Sequence, residues 1–177
     1  MEKKTIRDMG RDTIEQFKAR KKIPVTVVLD NVRSLNNIGA IFRTCDAFAV
    51  EGVALCGVSG TPPSPEIHKT ALGAENSVDW RYFATTSEAV DTLRAEGHAI
   101  ICLEQVKGSV SLNDFRAHRG QMYALVAGNE VDGVGQEIVD MADSCIEIPQ
   151  SGTKHSLNVS VSTAVALWEF YKQLSDI

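Results

Sequence analysis

Apolar residues along the chain fall into two patterns: short, nearly unbroken runs, and stretches in which they recur every three or four positions. The runs VTVVLD (25–30), GVALCGV (52–58), AIICLE (99–104), MYALVAG (122–128) and SCIEIP (144–149) predict strands, and SVDWRYF (77–83) predicts a further one. Ile38, Ile41, Phe42, Cys45 and Phe48 share one face of a helix from Asn37 to Val50, with Asn36 or Asn37 as its cap. SEAVDTLRAEG (87–97) predicts a helix capped by Ser87 and closed by Gly97, and residues 135–141 predict a short one. Apolar positions 161, 164, 165, 168 and 171 form one face of a last helix starting near Leu157, capped by Ser156 or Asn158. Three prolines make GTPPSPE (60–66) an irregular loop. Strands that are apolar on both faces and separated by helices indicate an α/β fold, a parallel sheet with helices on both faces.

Composition narrows the class without naming a function. The 177 residues, 44% hydrophobic and 23% charged, suit one compact globular domain. Every apolar stretch is shorter than the roughly 20 residues a membrane helix needs. The first 22 residues lack the apolar core of a signal peptide. The cysteines at 45, 56, 102 and 145 never form a C-x-x-C pair. Buried, reduced thiols in a cytoplasmic protein are therefore expected, not a disulfide framework or a zinc site. The net charge of −5 is unevenly spread: residues 1–22 hold eight Lys/Arg against four acids, and the remainder ten against nineteen. A basic arm on an acidic body is one mark of nucleic-acid contact, and a solvated helix gives the same pattern.

Ligands of open α/β sheets bind beyond the carboxyl ends of the strands, which singles out three loops. In the first, Asn36, Gly39 and Arg43 share a helix face expected to point away from the core. A glycine inside a helix costs about 1 kcal/mol against alanine. An arginine beside it suits phosphate, or the pair is a packing glycine and a surface arginine. In the second, glycines at 133 and 135 suggest a dinucleotide fingerprint, which Ile138 breaks. Gly128-Asn129-Glu130 places a glycine and a carboxylate at a strand end, where a plain Asn/Gly turn is the alternative. In the third, QSGTKHSLN (150–158) holds more polar residues than a cap uses, since only one of Ser156 and Asn158 is the N-cap. GVSG (57–60) is no nucleophile elbow, and His68, His98 and His118 have no partner at metal-ligand spacing.

The segments NNIGAIFRTCDAFAV, LVAGNEVDGV and IEIPQSGTKHSLNVSVSTAVALWEFY resemble, in order and spacing, the three motifs of the SpoU (TrmH-like) RNA 2′-O-methyltransferases of the SPOUT superfamily. They fall at Asn37–Arg43, Gly128–Gly133 and Ile148–Ser160, and the resemblance spans residues 23–174. It implies a C-terminal deep trefoil knot, which periodicity would never propose. The implied cofactor is S-adenosylmethionine, its adenosine held by Gly128, Ile148 and Leu157, with Leu103 as a further contact, and no metal. The implied reaction is methyl transfer to a ribose 2′-hydroxyl, with Arg43 as the reacting-nucleotide residue and Asn37, Glu130, Ser156 and Asn158 as the other polar positions. Loss of catalysis would predict damage at Asn37, Arg43, Glu130 or Asn158, and all four are intact. The resemblance also implies an RNA partner (tRNA or rRNA), a homodimer with Trp168 and Tyr171 near its interface, and no membrane. It divides the chain into a basic helical extension, 1–22, and a cofactor-binding domain, 23–177. Gln150 stands where the family usually has methionine, and Ser162 where it has alanine. The lack of a separate RNA-binding domain ahead of 23–177 leans the expectation toward tRNA.

Overall fold

The computed structural model describes residues 1–5, 8 and 10–176. Its elements run, in chain order, α1 (Ile14–Ala19), β1 (Ile23–Asp30), α2 (Leu35–Ala47), β2 (Val50–Cys56), α3 (Pro65–Ala71), α4 (Ala74–Ser77), β3 (Trp80–Phe83), α5 (Thr86–Ala95), β4 (His98–Leu103), β5 (Val110–Ser111), β6 (Met122–Ala127), α6 (Gln136–Met141), β7 (Ser144–Glu147) and α7 (Val159–Leu174). All six strand pairings are parallel, in one sheet of order β3-β2-β1-β6-β4-β7-β5. β6 lies between β1 and β4, with Val27 opposite Leu125 and Ile101 opposite Leu125 on its other side.

The pleat sorts each strand between two cores. Val25, Val27 and Leu29 pack with Ile38, Phe42, Leu167 and Phe170 under α2 and α7. Val28, Ala54, Ile100 and Val126 pack with Val90, Leu93 and Ile138 under α5 and α6. Helices on both faces leave little of the central strands β1, β6 and β4 to water, so these read as unbroken apolar runs. Cys45, Cys56 and Cys102 are buried free thiols. Burial pushes Cys56 up to about 12, so it is a packing residue.

Several boundaries differ from the expectation. α2 starts earlier and is capped by Ser34, whose hydroxyl accepts from Asn37 N–H, not by Asn36 or Asn37. Leu35 packs on the core and lengthens the apolar stripe by a turn. α5 is capped by Thr85, not Ser87, because Thr86 is already buried in the helix. The irregular loop expected over 60–66 ends at Ser64, which caps α3, and Pro65 occupies the first turn of that helix, where a missing N–H removes no bond. Residues 74–77 form α4, so the strand predicted from 77 begins at Trp80. Gly39 does not face away from the core. A Cβ there would lie 2.1 Å from Thr70 Oγ1 and 2.3 Å from Ile67 O, so the glycine lets α3 lie against α2.

In α7 the side that meets the sheet is not the face that the apolar spacing marks. Its buried side is Val159, Thr163, Ala166, Leu167, Phe170 and Leu174. On the face predicted from 161, 164, 165, 168 and 171, Val161 (49%), Val165 (39%) and Trp168 (50%) are exposed, while Tyr171 packs partly against the core. The helix is apolar nearly all round, so periodicity could not choose which side meets the sheet.

At the N-terminus, α1 has a capping box between Thr13 and Gln16. Phe17 inserts into the core and Lys22 Nζ stands 3.6 Å over its ring. Lys18, Arg20 and Lys21 pair with Asp79, Asp12 and Asp176. Arg7, counted in the basic arm, lies outside the described residues. No described helix is long and apolar enough to cross a membrane.

Candidate active site

The strand ends of β4, β6 and β7 and the start of α7 enclose a cavity of about 320 Å³. Leu103, Gly128, Ile148 and Leu157, the four residues expected to hold adenosine, all line it, as do Glu130 and Ser156. Its apolar wall is completed by Ala127 and Val159.

The turn after β6 is a small rigid hairpin. Asn129 and Gly133 pair through their backbones, and Asn129 Oδ1 accepts from Val131 and Asp132 N–H at 3.0 and 2.9 Å. Gly133 has φ +70°, and a Cβ on Gly128 would lie 2.0 Å from the Gly133 carbonyl carbon. Gly128 is therefore needed for the return of its own chain, a use that the turn reading anticipated. Asp30, 4% exposed at the end of β1, anchors the exit: its carboxylate accepts from Gly135 N–H at 2.8 Å and Thr86 Oγ1–H at 2.6 Å.

The hairpin aims Glu130 at the start of α2. Its carboxylate accepts from the N–H groups of Arg33 (3.2 Å) and Ser34 (3.1 Å) and from Asn37 Nδ2 (2.9 Å). Partial burial alone would raise the Glu130 pKa, but the Asn37 amide and these backbone donors outweigh it and hold the carboxyl below its ordinary value. Asn37 Oδ1 in turn accepts from Asn158 Nδ2 at 3.2 Å. Asn158 Oδ1 accepts from Ser160 N–H at 2.9 Å, which makes Asn158 the N-cap of α7. That leaves Ser156 exposed on the cavity wall, free of the cap. One hydrogen-bonded chain, Glu130–Asn37–Asn158, thus ties the three loops together across more than a hundred residues of sequence.

Arg43 is not brought into this cavity. It is exposed on α2 and lines a separate depression with Lys69, Thr70, Phe48 and Ala164. Among the described residues its guanidinium has no hydrogen-bond or ion-pair partner. Phe48, in the same depression, packs its ring at a tilt against Trp168 and Tyr171 of α7. Arg43 therefore stands beside exposed apolar surface.

Motif reading missed Asp30 and Glu104, the residues that fix the hairpin from outside. Each is an acid closing an apolar run, VTVVLD and AIICLE, and that position was the available signal. The cavity fits an adenosyl sulfonium ligand: aliphatic side chains for the base, and Glu104, Asp132 and Glu147 rather than any lysine or arginine around a cation.

Comparison with known proteins adds the following. Residues 24–168 match the model of the SpoU rRNA Methylase family. The tRNA (guanosine(18)-2′-O)-methyltransferase of Thermus thermophilus is 34% identical over 164 residues, 92% of this chain and 82% of the relative. An uncharacterised tRNA/rRNA methyltransferase of Synechocystis is 29% identical over 170 residues, 92% of this chain and 41% of the relative. The AdoMet-bound rRNA methyltransferase of Sinorhizobium meliloti superposes with a TM-score of 0.80 at 29% identity, covering 88% of this chain and 59% of the other. The chain thus spans about half the length of two of these three.

Proposed function

The chain belongs to the SpoU rRNA methylase family, and on that premise we propose that it is an S-adenosylmethionine-dependent RNA ribose 2′-O-methyltransferase. The observation that carries the reading is the Glu130–Asn37–Asn158 chain at the mouth of a cavity with an aliphatic and acidic lining. Three distant motif segments converge there, as a cofactor site with an adjoining substrate site requires.

Leu103, Gly128, Ile148 and Leu157 would hold the adenosine, the aliphatic chains against the base and the main chain at its edge. When bound, the cofactor supplies an electrophilic methyl carbon on a sulfonium. The protein's part is to bring a ribose 2′-hydroxyl to that carbon and stabilise the oxygen while its proton passes to solvent water at the open mouth of the cavity. Arg43 remains a cation throughout, because guanidinium is not deprotonated in proteins. Its role is to grip a phosphate of the reacting nucleotide from the depression beside the cavity and so fix the ribose in place. Ser156 orients the hydroxyl from the cavity wall. Asn37, Glu130 and Asn158 hold the loops in register.

A homodimer belongs to this proposal. Val161, Val165 and Trp168 expose apolar surface on the helix whose Ala164 lines the Arg43 depression, and a second copy docked on that helix would complete an RNA site around that arginine. So does the trefoil knot, supported by the position of β6 between β1 and β4 and by Gln105 Nε2, which donates across to His155 O. We assign 23–177 as the cofactor-binding domain and 1–22 as an RNA-contacting extension. The site of action is cytoplasmic, in keeping with the buried free thiols.

Calorimetric titration with S-adenosylmethionine tests the reading first, and absence of binding at millimolar ligand overturns it. Methyl transfer to unmodified tRNA and rRNA, followed by nucleoside mass spectrometry, then identifies the RNA. Arg43→Ala should abolish transfer and leave cofactor affinity within about twofold, since Arg43 lies outside the cavity. Loss of cofactor binding would contradict the role given to it.

A further inference from the structure

Glu104 directly follows Leu103 at the end of β4 and lines the same cavity. Its carboxylate is held in a fixed orientation by two backbone donors. Gln105 N–H donates to Oε1 and Val134 N–H to Oε2, both at 2.9 Å. It sits on Gly133, where an added Cβ would lie 2.2 Å from Oε2. With φ +70° as well, Gly133 clears the space for this side chain.

An ionised carboxylate offers about four acceptor positions, and backbone N–H groups use two of them here. Two acceptor positions on preoriented oxygens remain beside the wall assigned to adenosine. Neighbouring vicinal hydroxyls are the chemistry that such a group recognises, as acids at the ends of nucleotide-binding strands show generally. Glu130, the other acid placed by the hairpin, is committed to the start of α2 by three donors and is not available for this task.

Resting on the cofactor reading above, we infer that Glu104 is a ligand-binding residue that accepts hydrogen bonds from the ribose hydroxyls of the adenosyl cofactor. It selects ribose over deoxyribose. A purely structural role is the competing explanation, since Glu104 also anchors Val134.

The test is calorimetric titration of the full chain with S-adenosylhomocysteine and with its 2′-deoxyribose analogue, for the wild type, Glu104→Gln and Glu104→Ala. The wild type should bind the ribose ligand about ten- to a hundredfold more tightly than the deoxy analogue. Both variants should lose affinity for the ribose ligand and bring the two affinities within about threefold of each other. Equal losses for both ligands, with the wild-type ratio preserved, would show that Glu104 only supports the loop and overturn the inference. So would a wild type that does not discriminate the two ligands. A wild type that binds neither ligand overturns the cofactor reading itself, and this inference with it.

Discussion

Glu130 shows how one side chain can couple a loop to a helix start. Its three donors all favour the ionised form, so its pKa lies below the reference of 4.5. A depressed carboxylate stabilises the fold above its unfolded pKa, and that contribution is lost as pH falls through the folded value. Glu130→Gln should therefore lower the thermal midpoint at pH 7 by roughly 2–4 °C, about 1 kcal/mol after discounting its solvent exposure. The gap between variant and wild type should start to narrow near pH 4.5 and close as pH falls through the lower folded value, where both side chains are neutral. Thermal scans of the two proteins from pH 3 to 7 check this, and a constant gap would contradict it. Asn158 serves both as the α7 cap and as the link to Asn37. Asn158→Ala should cost about 1–2 kcal/mol in urea unfolding, whereas Ser156→Ala, outside the cap, should leave stability nearly unchanged.

At the scale of elements, α2 and α7 each carry one position where helix pattern and packing disagree. Gly39→Ala ought to stabilise an isolated helix by about 1 kcal/mol. Here the added methyl would meet the Ile67 carbonyl at 2.3 Å. The main chain of α3 would have to move, so the substitution should destabilise by about 1–3 kcal/mol in chemical denaturation. α7 presents the converse case, a face on which Val161, Val165 and Trp168 remain largely exposed. Trp168→Glu should leave the monomer fold intact by circular dichroism and abolish dimers in sedimentation velocity. A wild type that sediments as a monomer at high micromolar concentration would remove the dimer from the proposal.

Across the whole molecule, charge is divided between a basic arm and an acidic body. The structure divides the arm again. Lys18, Arg20 and Lys21 are engaged with acids of the chain and Lys22 with Phe17, whereas Lys3, Lys4 and Arg11 make no ion pair among the described residues. Truncating the arm through residue 20 would also remove Phe17 from the core, so substitution is the cleaner test. Lys3, Lys4 and Arg11 changed together to Ala should weaken RNA binding and flatten its salt slope. Every RNA phosphate that the variant no longer neutralises should take about 0.7–0.9 off that slope. An unchanged slope would show that these residues do not touch RNA.

The sequence by itself determined the class of fold and which residues gather at the candidate site. Parallel strands buried on both faces leave unbroken apolar runs, and each motif is a local string whose residue types survive any packing. Asn37, Glu130 and Asn158 were therefore legible as a set, together with the four cavity residues. Tertiary structure alone decided their geometry. Which side of an all-round apolar α7 meets the sheet depends on neighbours that no local window contains, and the apolar spacing marked a face that the fold leaves largely exposed. Glu104 and Asp30 look like ordinary strand ends until Val134 and Gly135 fold back to meet them. Arg43 stands in the first motif, yet the path of α2 puts it in a depression apart from the cavity. Side-chain chemistry and periodicity are local and can be read from the chain. Partnership between residues a hundred positions apart is set by chain topology and exists only once the loops have met.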